Sequence, residues 1–199
     1  MRRYLEASMA KLHPTLWRTC RMLSGKTRLA LLRQVIDSPE QTVSALAGQV
    51  HVSLPRASQE LRRLQSRGLI QANRSGMHVL YRPAPDPLVS TAAPLLQAMQ
   101  ATFRRFSASE DDQAVRIATG FSHLRRLAIV RLLLIGPMDT QTLEKLAGMS
   151  RDALNRHLLK LRVAGLVSRA GKRIQIEDHP HPLAHCLLEI SKGTPLPSA

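Results

Sequence analysis

Ser53-Leu54-Pro55-Arg56-Ala57-Ser58-Gln59-Glu60-Leu61-Arg62-Arg63-Leu64, running on to Gly68-Leu69-Ile70, decides how the rest of the chain is read. Ser53 is a capping residue type and Pro55 suits a first helical turn. Ala57, Leu61 and Leu64 fall on one stripe at helical spacing, and Gly68 ends the helix. If that stripe faces a core, the opposite face presents Pro55, Gln59 and Arg62, with Arg56, Ser58 and Arg63 beside them. Beyond Gly68, extended residues on either side of Arg74-Ser75-Gly76 continue to Arg82, which is the pattern of a β-hairpin.

The pattern returns later in the chain. Arg18…Ser24…Arg28-Leu29-Ala30…Arg33 recurs as Arg116…Ser122…Arg126-Leu127-Ala128…Arg131, and Gln41-Thr42…Leu46-Ala47-Gly48 as Gln141-Thr142…Leu146-Ala147-Gly148. Ser53…Leu61…Leu64…Gly68-Leu69 recurs as Ser150…Leu158…Leu161…Gly165-Leu166, and Gly76…Pro87-Leu88 as Gly171…Pro182-Leu183. The offsets of 98, 100, 97 and 95 keep the order of the blocks, as two copies of one unit would. The expected organisation is a first unit over 1–106, a polar linker at 107–112, a second unit over 113–191 and a flexible tail at 192–199.

Each unit opens on a helix, with Leu29, Leu32 and Ile36 in the first copy and Leu127, Val130 and Leu134 in the second. Ser38-Pro39 and Gly136-Pro137 stop it. Thr42 and Thr142 are expected to cap a short second helix carrying Leu46 and Leu146, closed by Gly48 and Gly148. The third helix of the second copy begins at Ser150 and turns Leu154, Leu158 and Leu161 inward. A tighter hairpin follows, with Leu166 to Arg169, a turn at Ala170-Gly171, and Lys172 to Ile176. A last helix carries Leu88, Ala92, Leu95, Leu96, Met99 and Phe103 in the first copy and spans 183–190 in the second. Three helices and a basic hairpin make a winged helix-turn-helix, so the fold class is mostly α with small β-hairpin wings, in tandem.

Charge is concentrated in the same places. The chain carries a formal +15, and segment 54–82 holds six Arg and one Glu, while 151–173 holds seven Lys or Arg and one Asp. A solvated face normally mixes signs, so two strongly basic segments point to a polyanion. A helix fits the major groove of double-stranded DNA, where Gln pairs with adenine and Arg with guanine. The candidate DNA-contacting residues of the first helix are Arg56, Ser58, Gln59, Arg62 and Arg63; in the second copy they are Asn155, Arg156 and Lys160. The hairpins add Arg74, His78 and Arg82, and Arg169, Lys172 and Arg173, placed for phosphate or minor-groove contacts. The second copy departs from the first: Asp152 would repel phosphate, and Leu159 stands where the first copy has Arg62.

The sequence resembles the ArsR-type family of bacterial winged-helix repressors. The resemblance lies in Thr27-Arg28-Leu29…Leu32, Thr42…Leu46-Ala47, the Ser53 to Leu61 stretch, Gly68-Leu69-Ile70 and Tyr81-Arg82. In the second copy it lies in Arg126-Leu127, Leu143-Glu144-Lys145-Leu146-Ala147, and Ser150…Leu154-Asn155-Arg156-His157-Leu158…Leu161…Ala164-Gly165-Leu166-Val167. It implies a transcriptional regulator, a repressor, whose third helix reads the operator, with Gln59 at a usual contacting position. Family members usually carry one unit and pair as homodimers through their first and last helices. Two units in one chain therefore imply a monomer acting as an intrachain pseudo-dimer, with a homodimer also open. Many members sense metals through cysteines on the second or third helix; here Val43, Ser44 and Ala45 occupy that region.

Other functional classes find less support. The only ligand-rich run is Asp178-His179-Pro180-His181-Pro182-Leu183-Ala184-His185-Cys186, and polar residues ahead of a helix are more often caps, so no metal and no cofactor are expected. Cys20 and Cys186 allow no disulfide framework and are expected to be small buried apolar groups. No Gly-rich phosphate loop, Ser-His-Asp signature or His-Glu-x-x-His helix occurs, so no enzyme is expected. Aromatics at 3% argue against a sheet that stacks unpaired bases. No window is apolar enough for a membrane span and no signal peptide is read at the start, which favours a cytoplasmic protein with no membrane partner. Two alternatives stay open: a protein-interaction or assembly module on a winged-helix scaffold, with Leu159 and Val163 as its contact, and an RNA-binding winged-helix protein.

Overall fold

The computed structural model describes residues 16–193, and they form helices and two small antiparallel sheets. The residues fall into two compact units, one of Met22–Val115 and the other of 16–21 together with 116–193. The chain's first described residues group with its second half. Expectations for 1–15 and 194–199, including most of the tail, lie outside the described residues.

In chain order the first half holds α1 (Leu16–Leu23), α2 (Lys26–Asp37), β1 (Gln41–Thr42), α3 (Val43–Gln49), α4 (Leu54–Gln65), β2 (Ile70–Ser75), β3 (His78–Pro83) and α5 (Ala92–Arg105). The second half holds α6 (Asp111–Phe121), α7 (Leu124–Ile135), β4 (Met138–Asp139), α8 (Thr140–Ala147), α9 (Arg151–Val163), β5 (Val167–Ala170), β6 (Arg173–Ile176) and α10 (Pro182–Ser191). Both sheets have the long hairpin flanked by a two-residue strand, in the orders β1-β3-β2 and β4-β6-β5. Short helices followed by a small antiparallel sheet are consistent with a winged helix-turn-helix.

The inward stripes hold as expected. Ala57, Leu61 and Leu64 are buried in one unit, and Leu154, Leu158 and Leu161 in the other. On α2 and α7, Leu29, Leu32, Leu127 and Val130 are buried, but Ile36 and Leu134 are only half-buried. Val35 and Leu133, one residue earlier, are buried in their place.

The second helix is where the repeat slips. The sequence match pairs Thr42 with Thr142, whereas the structure pairs Thr42 with Asp139. Thr42 caps α3 by accepting from the Ala45 amide, and the Asp139 side chain caps α8 by accepting from the Thr142 amide. Thr142 is thus inside α8, and the fully buried counterpart of Leu46 is Leu143; Leu146 is half-buried. Gly148 ends α8 in the left-handed region at φ 60°, but Gly48 does not end α3: the left-handed residue there is His51, at φ 54°. Ser53 takes the N-cap position of α4 without a side-chain cap bond, whereas Ser150 accepts from the Ala153 amide.

Two further expectations change. Residues 107–112 have linker composition yet are folded: Ser107 and Glu110 exchange bonds in a capping box, and α6 starts at Asp111. Arg33, buried on α2, donates to Asp111 and to the carbonyls of Phe103, Phe106 and Ser107, with its guanidinium 4.1 Å from the Phe103 ring centroid. Leu88 is 92% exposed and outside any helix, since α5 begins only at Ala92, while its counterpart Leu183 is buried in α10.

The corrected register yields a test. Leu143→Ala is expected to cost about 2–5 kcal/mol, the range for a buried leucine, and Leu146→Ala distinctly less. Chemical denaturation of the two variants checks this; an equal or reversed ranking would restore the sequence register.

Candidate nucleic-acid interface

The two third helices, α4 and α9, are positioned by different chemistry. On α4 the stripe that faces inward includes an acid: Glu60 is buried and accepts from Arg28 at 2.8 Å and from Arg63 at 2.9 Å. Burial alone would raise this carboxyl, but the Arg28 bond and the charges of Arg28 and Arg63 win and hold it below 4.5. Arg28 also donates through Nε to the Met22 carbonyl at 2.6 Å, near the end of α1. The acid of α4 is thereby turned away from its outer face.

That outer face holds Pro55, Arg56, Gln59, Arg62 and Arg63, all exposed, with Ser58 half-buried between them. Arg56 is steadied by a 3.2 Å bond to the Thr27 hydroxyl. The structure therefore brings Arg56, Ser58, Gln59, Arg62 and Arg63 together on one helix face, with no acid exposed among them.

On α9 the counterpart of Glu60 is His157. Its ring lies 4.9 Å from that of His123, centroid to centroid. His123 Nδ1 accepts from the Arg125 amide and so caps α7. Arg126, the counterpart of Arg28, is buried and donates to the Thr119 and Gly120 carbonyls and to the Ser122 hydroxyl, at 2.7, 2.9 and 2.9 Å. His179 also touches this end of the unit: its Nδ1 accepts from the His181 amide, and it bonds the backbone of Ala164, just past α9. The outer face of α9 exposes Asp152, Asn155, Arg156, Leu159, Lys160, Arg162 and Val163. Arg151, at its start, is held by Glu144 of α8 through two bonds of 2.8 and 2.9 Å. Arg162 was missed in the sequence reading although it lies seven residues, about two turns, from Asn155 and so shares its face.

The wings do not gather their basic residues on one face. Across β2 and β3, Gln71 pairs with Arg82, Arg74 with Val79, and Ser75 with His78. Side chains alternate along a strand, so His78 and Arg82 share one face and Arg74 lies on the other, with buried Ile70 and Tyr81. In the second hairpin Arg169 pairs with Ile174 and Ala170 with Arg173, which puts Arg169 and Arg173 on opposite faces and leaves Lys172 in the turn. All six are exposed.

Metal and thiol chemistry find little footing. Among the described residues no group of three or more His, Cys, Asp or Glu is placed to hold a metal ion. His181 is buried and spends its Nδ1 on the Leu183 amide as the cap of α10. Burial raises the Cys20 thiol well above its ordinary value and pushes Cys186 up to about 12, so neither is a thiolate at neutral pH.

Three histidines of the second unit, His123, His157 and His179, are held below their ordinary value. Burial, aided by Arg126, Arg125 and Arg21, holds His123 below 6.5. Burial, then His123, Arg126, Arg125 and Arg156, does the same to His157. Burial lowers His179, against a partial offset from its bond to Ala164. A depressed histidine favours the neutral form, so its stabilisation is full above the unfolded value and is lost as pH falls through the folded one. Glu60 is depressed from 4.5, so the Arg28–Glu60 clamp survives to lower pH. Between about pH 7.5 and 5.5 the melting temperature of the 116–193 unit is expected to fall, and His157→Gln to shrink that fall. Scanning calorimetry of both proteins checks this; a pH-indifferent profile in the wild type would refute it.

Residues 124–169, which span α7 to the start of β5, match the family described as bacterial regulatory protein, arsR family. The chain is also similar to the HTH-type transcriptional repressor SmtB of Mycobacterium tuberculosis, from strains CDC 1551/Oshkosh and ATCC 25618/H37Rv. Each is 38% identical over 68 residues, 34% of this chain and 50% of the relative. The chain thus spans about half the length of the curated relatives it matches. Among the described residues no helix is long and apolar enough to cross a membrane. The family match thus lies within the second half of the chain, over α7 to the start of β5.

Proposed function

We propose that the protein is a sequence-specific regulator of transcription that binds double-stranded DNA and acts as a repressor. The observation that carries this is the outer face of α4, where Arg56, Gln59, Arg62 and Arg63 are exposed while the helix's one acid, Glu60, is bound inward by Arg28. A helix of 12 residues with such a face suits the major groove. The similarity to a relative named as a transcriptional repressor supports the direction of regulation.

In this reading Gln59 and the arginines of α4, together with Ser58, address base edges. Asn155, Arg156 and Lys160 do so from α9. Arg74, His78 and Arg82, and Arg169, Lys172 and Arg173, contact the backbone from the wings. The two units are taken as repeats of one unit that pair within one chain, so a monomer would present two unlike helices to two unlike half-sites. No catalytic residue and no cofactor are assigned.

Duplex binding should weaken steeply with salt. About five or more phosphate contacts, at roughly −0.9 each, give a slope near −4.5 or steeper in log K against log salt. Absence of duplex binding at low salt would sink the proposal, and preference for RNA over duplex DNA would move it to another class. On sequences selected from random duplexes, Gln59→Ala should relax preference at one or two base pairs by about 1–3 kcal/mol, while Arg74→Ala weakens selected and scrambled DNA alike. Arg156→Ala should cost less preference than Gln59→Ala; the reverse order would make α9 the leading helix. Light scattering should give the 22.1 kDa chain mass rather than twice it.

A further inference from the structure

Leu159 and Val163 are 57% and 56% exposed on α9, four residues and so about one turn apart. They lie on the stripe that carries Asn155, not on the buried stripe of Leu154, Leu158 and Leu161. Single exposed leucines need no explanation, but two on one stripe of a helix whose other exposed residues include Arg156, Lys160 and Arg162 do. Their counterparts on α4 are polar, Arg62 and Ser66.

The surrounding charge limits what can cover them. Arg156, Lys160 and Arg162 on the helix, and Arg169, Lys172 and Arg173 on the hairpin after it, are all exposed, and Asp152 is the one exposed acid on α9. The occupant must therefore be polyanionic and still offer apolar groups at the depth of the helix face. A second protein copy is a poor fit: it would carry the same positive charge, and two side chains fall far short of the roughly 800 Å² per partner of a stable interface. Duplex DNA fits both demands. In its major groove the thymine C5-methyl is the one apolar group among the base edges.

Resting on the DNA-binding reading above, we propose that Leu159, with Val163 one turn on, contacts thymine C5-methyl groups in the half-site addressed by α9. This makes them specificity-determining residues. The two half-sites then differ in kind: one is recognised through hydrogen bonds from Gln59 and the arginines of α4, the other through thymine methyls.

The test uses the full chain and duplexes selected from random sequence. Thymines in the half-site are replaced one at a time by deoxyuridine, which removes the methyl and keeps base pairing. For the wild type, affinity should fall about fourfold at one or two positions, the value of one buried methyl. The double variant Leu159→Ala, Val163→Ala, at two exposed positions, should keep the wild-type melting temperature and bind the thymine and deoxyuridine duplexes equally. Equal wild-type affinity for both duplexes would overturn the proposal while leaving DNA binding intact. So would a Leu159→Ala, Val163→Ala variant that still discriminates them, or one whose only change is in the mass seen by light scattering. Failure of all duplexes to bind would instead remove the functional reading on which it rests.

Discussion

The guanidinium of Arg28 joins three helices. Its Nε closes on the Met22 carbonyl at the end of α1, and its Nη1 holds Glu60 of α4, while Arg28 itself stands in the first turn of α2. A cation at a helix C-terminus answers both the unpaired carbonyls and the negative end of the dipole. The same cation draws the acid of α4 inward. Turned outward, Glu60 would sit among Arg56, Gln59 and Arg63 and weaken the field of that face. Truncating either partner would leave a buried charge without its match, which is why such pairs are costly to break even where their net contribution is small.

Arg126 keeps the first of these tasks and loses the second. It donates to the Thr119 and Gly120 carbonyls at the end of α6, but its counterpart of Glu60 is His157, a group that is neutral only above its own titration. So α9 is seated by packing and by uncharged rings where α4 is seated by an ion pair. The exchange also changes the surfaces. Position 55 is proline and its counterpart is Asp152; position 62 is arginine and its counterpart is Leu159. Inner and outer faces of the two helices differ together, toward charge in one unit and toward apolar and titratable groups in the other.

Much of this was legible in the sequence because it rests on periodicity. The inward stripes of α4 and α9 follow from 3.6-residue spacing, and the exposure of Arg56, Gln59, Arg62, Asn155, Arg156 and Lys160 follows from being opposite them. What misled was residue identity without geometry. Gln-Thr occurs at both 41–42 and 141–142, yet the second pair sits one turn into α8 because Asp139 caps better placed amides. The constraint that aligns the two is the left-handed residue after the helix, Gly148 in one unit and His51 in the other, and histidine at that conformation gives no sequence signal. Polar 107–112 looked like a linker because capping residues and linkers share a composition. The split of the wing arginines over two faces depends on strand register, which residue types alone do not set.

The charge on these surfaces cannot by itself confer selectivity. In the proposed complex, phosphates repeat at every step of a duplex, so arginines and lysines of the hairpins would contribute the same attraction to any sequence. Discrimination needs groups that gain from one base edge and lose on another, and few side chains at this interface are of that kind. On α4, Gln59 offers a donor and an acceptor between arginines that can also pair with guanine. On α9, Asp152 would penalise close approach to phosphate, and Leu159 would gain nothing from a polar edge. In that proposed complex an apolar residue surrounded by cations would discriminate, because the cations would bring the duplex close whatever its sequence and the apolar contact would reward only a base that carries a methyl group. Electrostatics sets how tightly such a surface binds, and the two or three uncharged residues at its centre set where.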